Sequence, residues 1–251
     1  IKPGTTISLE VARAPLEPIS ATKVAPHVHE SLFRTRKWPA LEQSLQALEE
    51  VRSGSTHKLI NSIIPRPGPA LISNIIFFLS ALKANDLNSW IGEKTLRLIE
   101  RHQPNIASRI KEDFTTLSKM AEEPTPSDWR IALVPINSGN GIQQIRLLLR
   151  QNEEETDQDV TSNTRFVIDV QLSRLGRLQL DGLIRDEGNA LDLIVRSETH
   201  LANIIQNNIR TIFSETTNIS GIKGGVNFQA APADFIDVPD PVNTDNVGLV
   251  V

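Results

Sequence analysis

The stretch Thr164-Arg-Phe-Val-Ile-Asp-Val-Gln-Leu-Ser-Arg-Leu-Gly-Arg-Leu-Gln-Leu-Asp-Gly-Leu-Ile-Arg185 alternates apolar and polar residues on both sides of a turn. Phe166, Ile168, Val170 and Leu172 fall on one face of an extended strand, and Leu178, Leu180 and Ile184 on one face of a second. A period of two that survives a turn is the pattern of a half-buried antiparallel pair. The turn formers of residues 186–189 then lead into a third alternating run with Leu191, Leu193 and Val195 on one face. From Glu198 the period changes: Leu201, Ile204, Ile205, Ile209, Ile212 and Phe213 recur at three or four residues, one stripe of an amphipathic helix. Ser197 suits its N-cap, Glu198 its first turn, and Gly221 its end. A last short strand carries Val226 and Phe228. The order is β-β-β-α-β, with the helix stripe expected across the apolar sheet face, where each large side chain buried is worth a gross ~1.5–3 kcal/mol.

Working outward, Trp129, Ile131 and Leu133 alternate, as do Ile145, Leu147 and Leu149 after an Asn-Ser-Gly-Asn-Gly turn at residues 137–141, so a hairpin extends the sheet. Residues 151–163 are polar and acidic, with Glu153, Glu154, Glu155, Asp157 and Asp159, and read as an exposed mobile loop. Upstream the pattern is helical. Trp38, Leu41, Leu45, Leu48 and Val51 form one stripe, a short segment follows at residues 59–64, and Pro65-Arg-Pro-Gly-Pro69 is a stiff connector. Residues 70–84 are apolar almost all round, as expected of a helix at the buried centre of a bundle. Asp86 suits a cap, Gly92 a break, and Pro104 the first turn of a helix with Ile106, Ile110, Phe114, Leu117 and Met120 on its stripe. The fold class is therefore α+β: an N-terminal helical bundle followed by a mostly antiparallel sheet with one helix packed on it. Residues 1–30 hold a terminal strand (Ile7, Leu9, Val11) of a preceding region plus a Pro-containing linker; 31–125 form the helical domain, 127–230 the α+β domain, and 231–251 a disordered tail.

The face of the sheet opposite the helix carries Asp169, Asp181 and Asp192, interleaved with Arg165, Arg177, Arg185 and Arg196. Taken alone, such residues form a solvated face of cross-strand ion pairs. The same face carries Val167, Leu183 and Ile194, an apolar patch rimmed by charge, which marks an interface. That interface is either internal, against the helical domain, or external, against a partner.

Leu172-Ser-Arg-Leu-Gly-Arg-Leu-Gln-Leu180, followed by a short strand, a helix and a Gly-bounded final strand, resembles the C-terminal domain of flagellar hook-length control proteins. The family pattern there is a strand, a turn ending in Leu-Gly, and an alternating strand. Leu175 and Gly176 match it, while Leu172 stands where many members carry Pro. Residues 65–69, 77–82 and 129–150 are similar to a longer branch of such proteins. The resemblance implies a non-enzymatic protein-interaction role. In the family this domain signals to the cytoplasmic domain of the export-gate switch protein, so that secretion passes from hook to filament substrates. It also implies contact with hook components, a bacterial cytoplasmic location, and export through the flagellar type III apparatus. The residues expected to meet the partner are Arg165, Val167, Arg177, Leu183, Arg185, Ile194 and Arg196. The alternative is a scaffold or adaptor of the same fold without a flagellar role, because the helical segment is more developed than in length-control proteins.

Other chemistry finds little footing. The 251 residues carry a net charge of −4 and interleaved basic and acidic residues, which gives no reason to bind nucleic acid. There is no cysteine, hence no disulfide, thiolate nucleophile or Cys-ligated metal. The longest apolar run is too short for a membrane span. His27, His29 and Glu30 are the only local cluster of metal-ligand types, and they sit in the Pro-punctuated linker, short of the third and fourth ligands a zinc site needs. His57, His102 and His200 are scattered singly. Gly221-Ile-Lys-Gly-Gly225 follows a helix and opens a strand, the reverse of a phosphate-binding loop. No catalytic residue, metal ligand or cofactor site is assigned, and the chain is expected not to be an enzyme.

Overall fold

In the structure, a computed structural model, residues 32, 35–51, 63–139, 141–156, 159–230 and 235–236 are described. The N-terminal strand and linker of residues 1–30, with His27, His29 and Glu30, lie outside these residues, as does His57.

Five helices among the described residues precede the sheet: α1 (Pro39–Val51), α2 (Leu71–Lys83), α3 (Leu87–Ile91), α4 (Glu93–His102) and α5 (Pro104–Glu122). Their ends follow local chemistry. The Asp86 carboxylate accepts from the Ser89 amide at 3.0 Å and starts α3. Gly92, at φ 83°, breaks α3 from α4, and Pro104 opens α5. The helices close on an aromatic cluster: Trp38 stacks on Trp90 at 5.7 Å and Trp90 on Phe114 at 5.9 Å, with the Phe78 ring edge-on to Trp90 at 4.8 Å. Both indoles are satisfied, Trp38 Nε1 donating to Asp113 and Trp90 Nε1 to the Ile63 carbonyl, each at 2.9 Å.

α2 is not the buried centre of this bundle. Phe78, Ala81 and Leu82 face the core, but Ile72 is 64% exposed, Ile76 58% and Phe77 44%. The bundle closes over the aromatic cluster on one side of α2 only, and the far side of an all-round apolar helix stays in solvent.

Among the described residues the sheet has six strands in chain order: β1 (Arg130–Asn137), β2 (Ile142–Thr156), β3 (Asp159–Leu172), β4 (Gly176–Arg185), β5 (Ala190–Ser197) and β6 (Lys223–Ala230). The first five form an antiparallel meander, and β6 pairs parallel to β5. The parallel step needs a crossover, supplied by α6 (Asn203–Ser220). The α+β class, the added hairpin and the β-β-β-α-β core are present as expected. The turn between β3 and β4 ends at Gly176, whose φ of 72° suits the left-handed position that closes a three-residue hairpin loop.

Three expectations for the sheet need correction. Residues 151–156 and 159–163 are not a loop: they belong to β2 and β3, with Glu153 opposite Ser162 and Glu155 opposite Val160. In this register neither glutamate is placed opposite another carboxylate, so pairing continues. α6 begins at Asn203, not Glu198, because Ser197 is still paired with Leu178 in β5 and its hydroxyl donates to the Thr199 carbonyl at 2.7 Å. The α6 stripe also does not cover the apolar face. The helix packs principally on β6, leaving Ile204 and Ile212 at 68% and 63% exposure. Six strands at ~4.8 Å span roughly 24 Å, and a helix about 10 Å across covers two of them.

Candidate functional site

The register of β2 to β5 stacks the charged residues into rows on the face away from α6. Arg165, Leu183 and Asp192 face one another across three strands; Val167, Asp181 and Ile194 form the next row; Asp169, Gln179 and Arg196 the next, and Arg177 opposes Gln171 beyond. The period of two therefore brought together all seven residues expected to meet a partner.

Their surroundings divide them. Val167 is fully buried: it lies opposite Leu148, itself opposite Ile131, and these three carry the helical core onto the sheet. This half of the face is internal, and Val167 is not available to a partner in the folded chain. Leu183 and Ile194 are half-buried instead, and with Arg150, Asn163, Arg165, Asp181 and Asp192 they line an open notch of about 320 Å³. Arg185 stands exposed beside it, paired with Asp192.

Asp169 and Asp181 are not solvated, at 0% and 5% exposure. Asp169 accepts from Arg36 Nη2 and from Arg177 Nη2, both at 2.8 Å. Asp181 is gripped by Arg165 through Nε at 2.9 Å and Nη2 at 2.7 Å, and by Arg196 Nη1 at 2.7 Å. Burial pushes the Asp169 carboxyl up, but the hydrogen bonds and charges of Arg177 and Arg36 outweigh it and hold it below the usual aspartate range. Asp181 follows the same balance, burial opposed by Arg165 and Arg196, and ends lowered. The hydrogen bond to Asp181 raises Arg165 in turn. These are ionised at neutral pH and structural; a carboxylate locked by two guanidinium groups is a poor proton carrier. Trp129 supports the cluster from the side, with Arg150 and Arg165 over its ring at 5.0 and 5.9 Å.

Part of the expected disordered tail is seated on this face. Gln179 Nε2 donates to the Ile236 carbonyl and the Ile236 amide donates back to Gln179 Oε1, each at 2.9 Å. The Arg177 guanidinium lies over the Phe235 ring at 4.7 Å. The remainder of residues 231–251 lies outside the described residues.

Arg36, Trp129, Gln179 and the Phe235–Ile236 pair thus belong to the site without having been read from the sequence. Gln179 was findable, since it holds a polar position on the face already singled out. Arg36, 133 positions from Asp169, left no local signal. Elsewhere, His102 and His200 are exposed, and Gly221, at φ 68°, ends α6 as a left-handed cap before β6. Among the described residues no His, Asp and Glu side chains gather as a metal site, and no helix is long and apolar enough to cross a membrane. Compared with protein-family models, curated proteins and solved structures, the chain finds no match.

Proposed function

We propose that the chain is a non-enzymatic protein-interaction module of the kind its Leu172 to Leu180 region resembles. In this reading it acts from the bacterial cytoplasm and through the flagellar type III apparatus, engaging the cytoplasmic domain of the export-gate switch protein and hook components. The observation that supports it is the notch between β3, β4 and β5. Leu183 and Ile194 form an apolar floor there, with Arg165, Arg150 and Asp192 at its rim. A half-buried apolar floor ringed by charge is the composition of an interface core and its rim.

The test is binding of the full chain to the purified cytoplasmic domain of an export-gate switch protein. Leu183→Asp with Ile194→Asp is expected to weaken it at least tenfold while circular dichroism stays unchanged, since both side chains already reach solvent. Equal binding by the folded double variant would overturn the notch as the interface.

The second reading, a scaffold or adaptor without a flagellar role, is favoured by the exposed row Ile72, Ile76 and Phe77 on α2. Ile72→Asp with Ile76→Asp discriminates: loss of a partner with this pair, and none with the notch pair, selects the adaptor.

A further inference from the structure

Gln179 is fully buried, and its amide bonds the backbone of one residue, Ile236, through both its nitrogen and its oxygen, while the nitrogen also reaches Asp169 Oδ2 at 3.4 Å. A side-chain amide that donates to a carbonyl and accepts from the amide of the same residue reproduces one rung of a β-ladder. It recognises the backbone of that residue, whatever the side chain. Identity is read beside it, where the Phe235 ring lies against the Arg177 guanidinium. The surroundings favour acidic chain. Arg36, Arg165, Arg177 and Arg196 stand against Asp169 and Asp181, and Arg36 Nη1 and Arg196 Nε lack a hydrogen-bond partner among the described residues. The sequence around the seated pair is acidic, Asp234-Phe-Ile-Asp237.

We propose that Gln179 and Arg177 form a binding site for acidic segments carrying an aromatic–aliphatic pair, filled in cis by the chain's own Phe235–Ile236. The partner in trans is a protein presenting such a segment. The cis ligand follows β6 closely, residues 231–234 being all that separate it from the strand. A short connector of this kind gives an effective concentration on the order of millimolar. A free peptide of ordinary affinity is therefore excluded until the cis segment is displaced or its hold weakened. The site does not depend on the flagellar reading.

The experiment uses the full chain and a fluorescein-labelled peptide of residues 231–240, followed by anisotropy. Phe235→Ala with Ile236→Ala loosens the cis segment by removing its side-chain contacts, and is expected to bind the peptide at least about tenfold more tightly than the parent chain. A peptide carrying N-methylisoleucine at the Ile236 position lacks the N–H that Gln179 accepts, and is expected to bind at least about tenfold more weakly, without any change to the protein. No binding by the folded double variant overturns the proposal, as does equal binding by the parent or by the N-methylated peptide. Light scattering covers the remaining outcome: a parent dimer that the double variant dissolves places a second copy's tail in the site and overturns the cis assignment.

Discussion

Asp169 concentrates the energetics of the polar face, because its carboxylate has no exposure and two guanidinium groups converge on it. Asp169→Asn leaves both arginines partly buried beside a neutral amide, and is expected to cost about 3–5 kcal/mol in urea unfolding at pH 7, as for a broken buried pair. The pH dependence has a definite sign. The folded-state values of Asp169 and Asp181 lie below the unfolded value of about 3.9, so their contribution is complete above that value and is lost as pH falls through the lower folded ones. Stability should therefore fall as the pH drops below about 4, and less steeply in Asp169→Asn, where Asp181 keeps its share. Gly182 matters for the opposite face: an added Cβ would sit 2.1 Å from Phe166 Cζ, its cross-strand neighbour. Gly182→Ala must displace that ring, with an expected cost of about 1–3 kcal/mol in thermal unfolding. Gly225→Ala, where nothing among the described residues lies within 4 Å of an added Cβ, serves as the near-neutral control.

At the scale of elements, α2 behaves as two helices back to back. Ile72→Lys and Ile76→Lys are each expected to change stability by no more than about 0.5 kcal/mol, whereas Phe78→Ala removes a buried ring and should cost about 3–5 kcal/mol. Chemical denaturation of the three variants checks both statements. The extent of this helix was legible in the sequence, but its orientation was not. An apolar residue at nearly every position erases the periodicity that names the inner side, and the choice falls to Trp38, Trp90 and Phe114, which are distant in sequence. The strands were legible for the converse reason, since Phe166 to Leu172 and Leu178 to Ile184 alternate without interruption. The same alternation placed Asp169 and Asp181 on one face. The burial of Asp169 was hidden because its partner Arg36 lies 133 positions away. The start of α6 was misjudged where Ser197 satisfied a capping pattern but remained in the β5 ladder.

At the scale of the molecule, the helices and the sheet share one apolar core. Phe114, Ile110 and Leu82 continue into Ile131, Leu133, Leu148 and Val167. A single cooperative unfolding transition is expected, with fluorescence and circular dichroism superimposing. Residues 127–230 expressed alone would uncover Ile131, Leu133, Leu148 and Val167 and strip Asp169 of Arg36, so that piece is expected to aggregate or to bind a hydrophobic dye. Because the strands pair in chain order, each finds its neighbour already made as the chain leaves the ribosome. Gln179 still has to wait, for Ile236 follows it by 57 residues. At about 5–20 residues per second this is roughly 3–11 seconds, during which every nascent copy shows the empty slot to whatever lies near the tunnel exit.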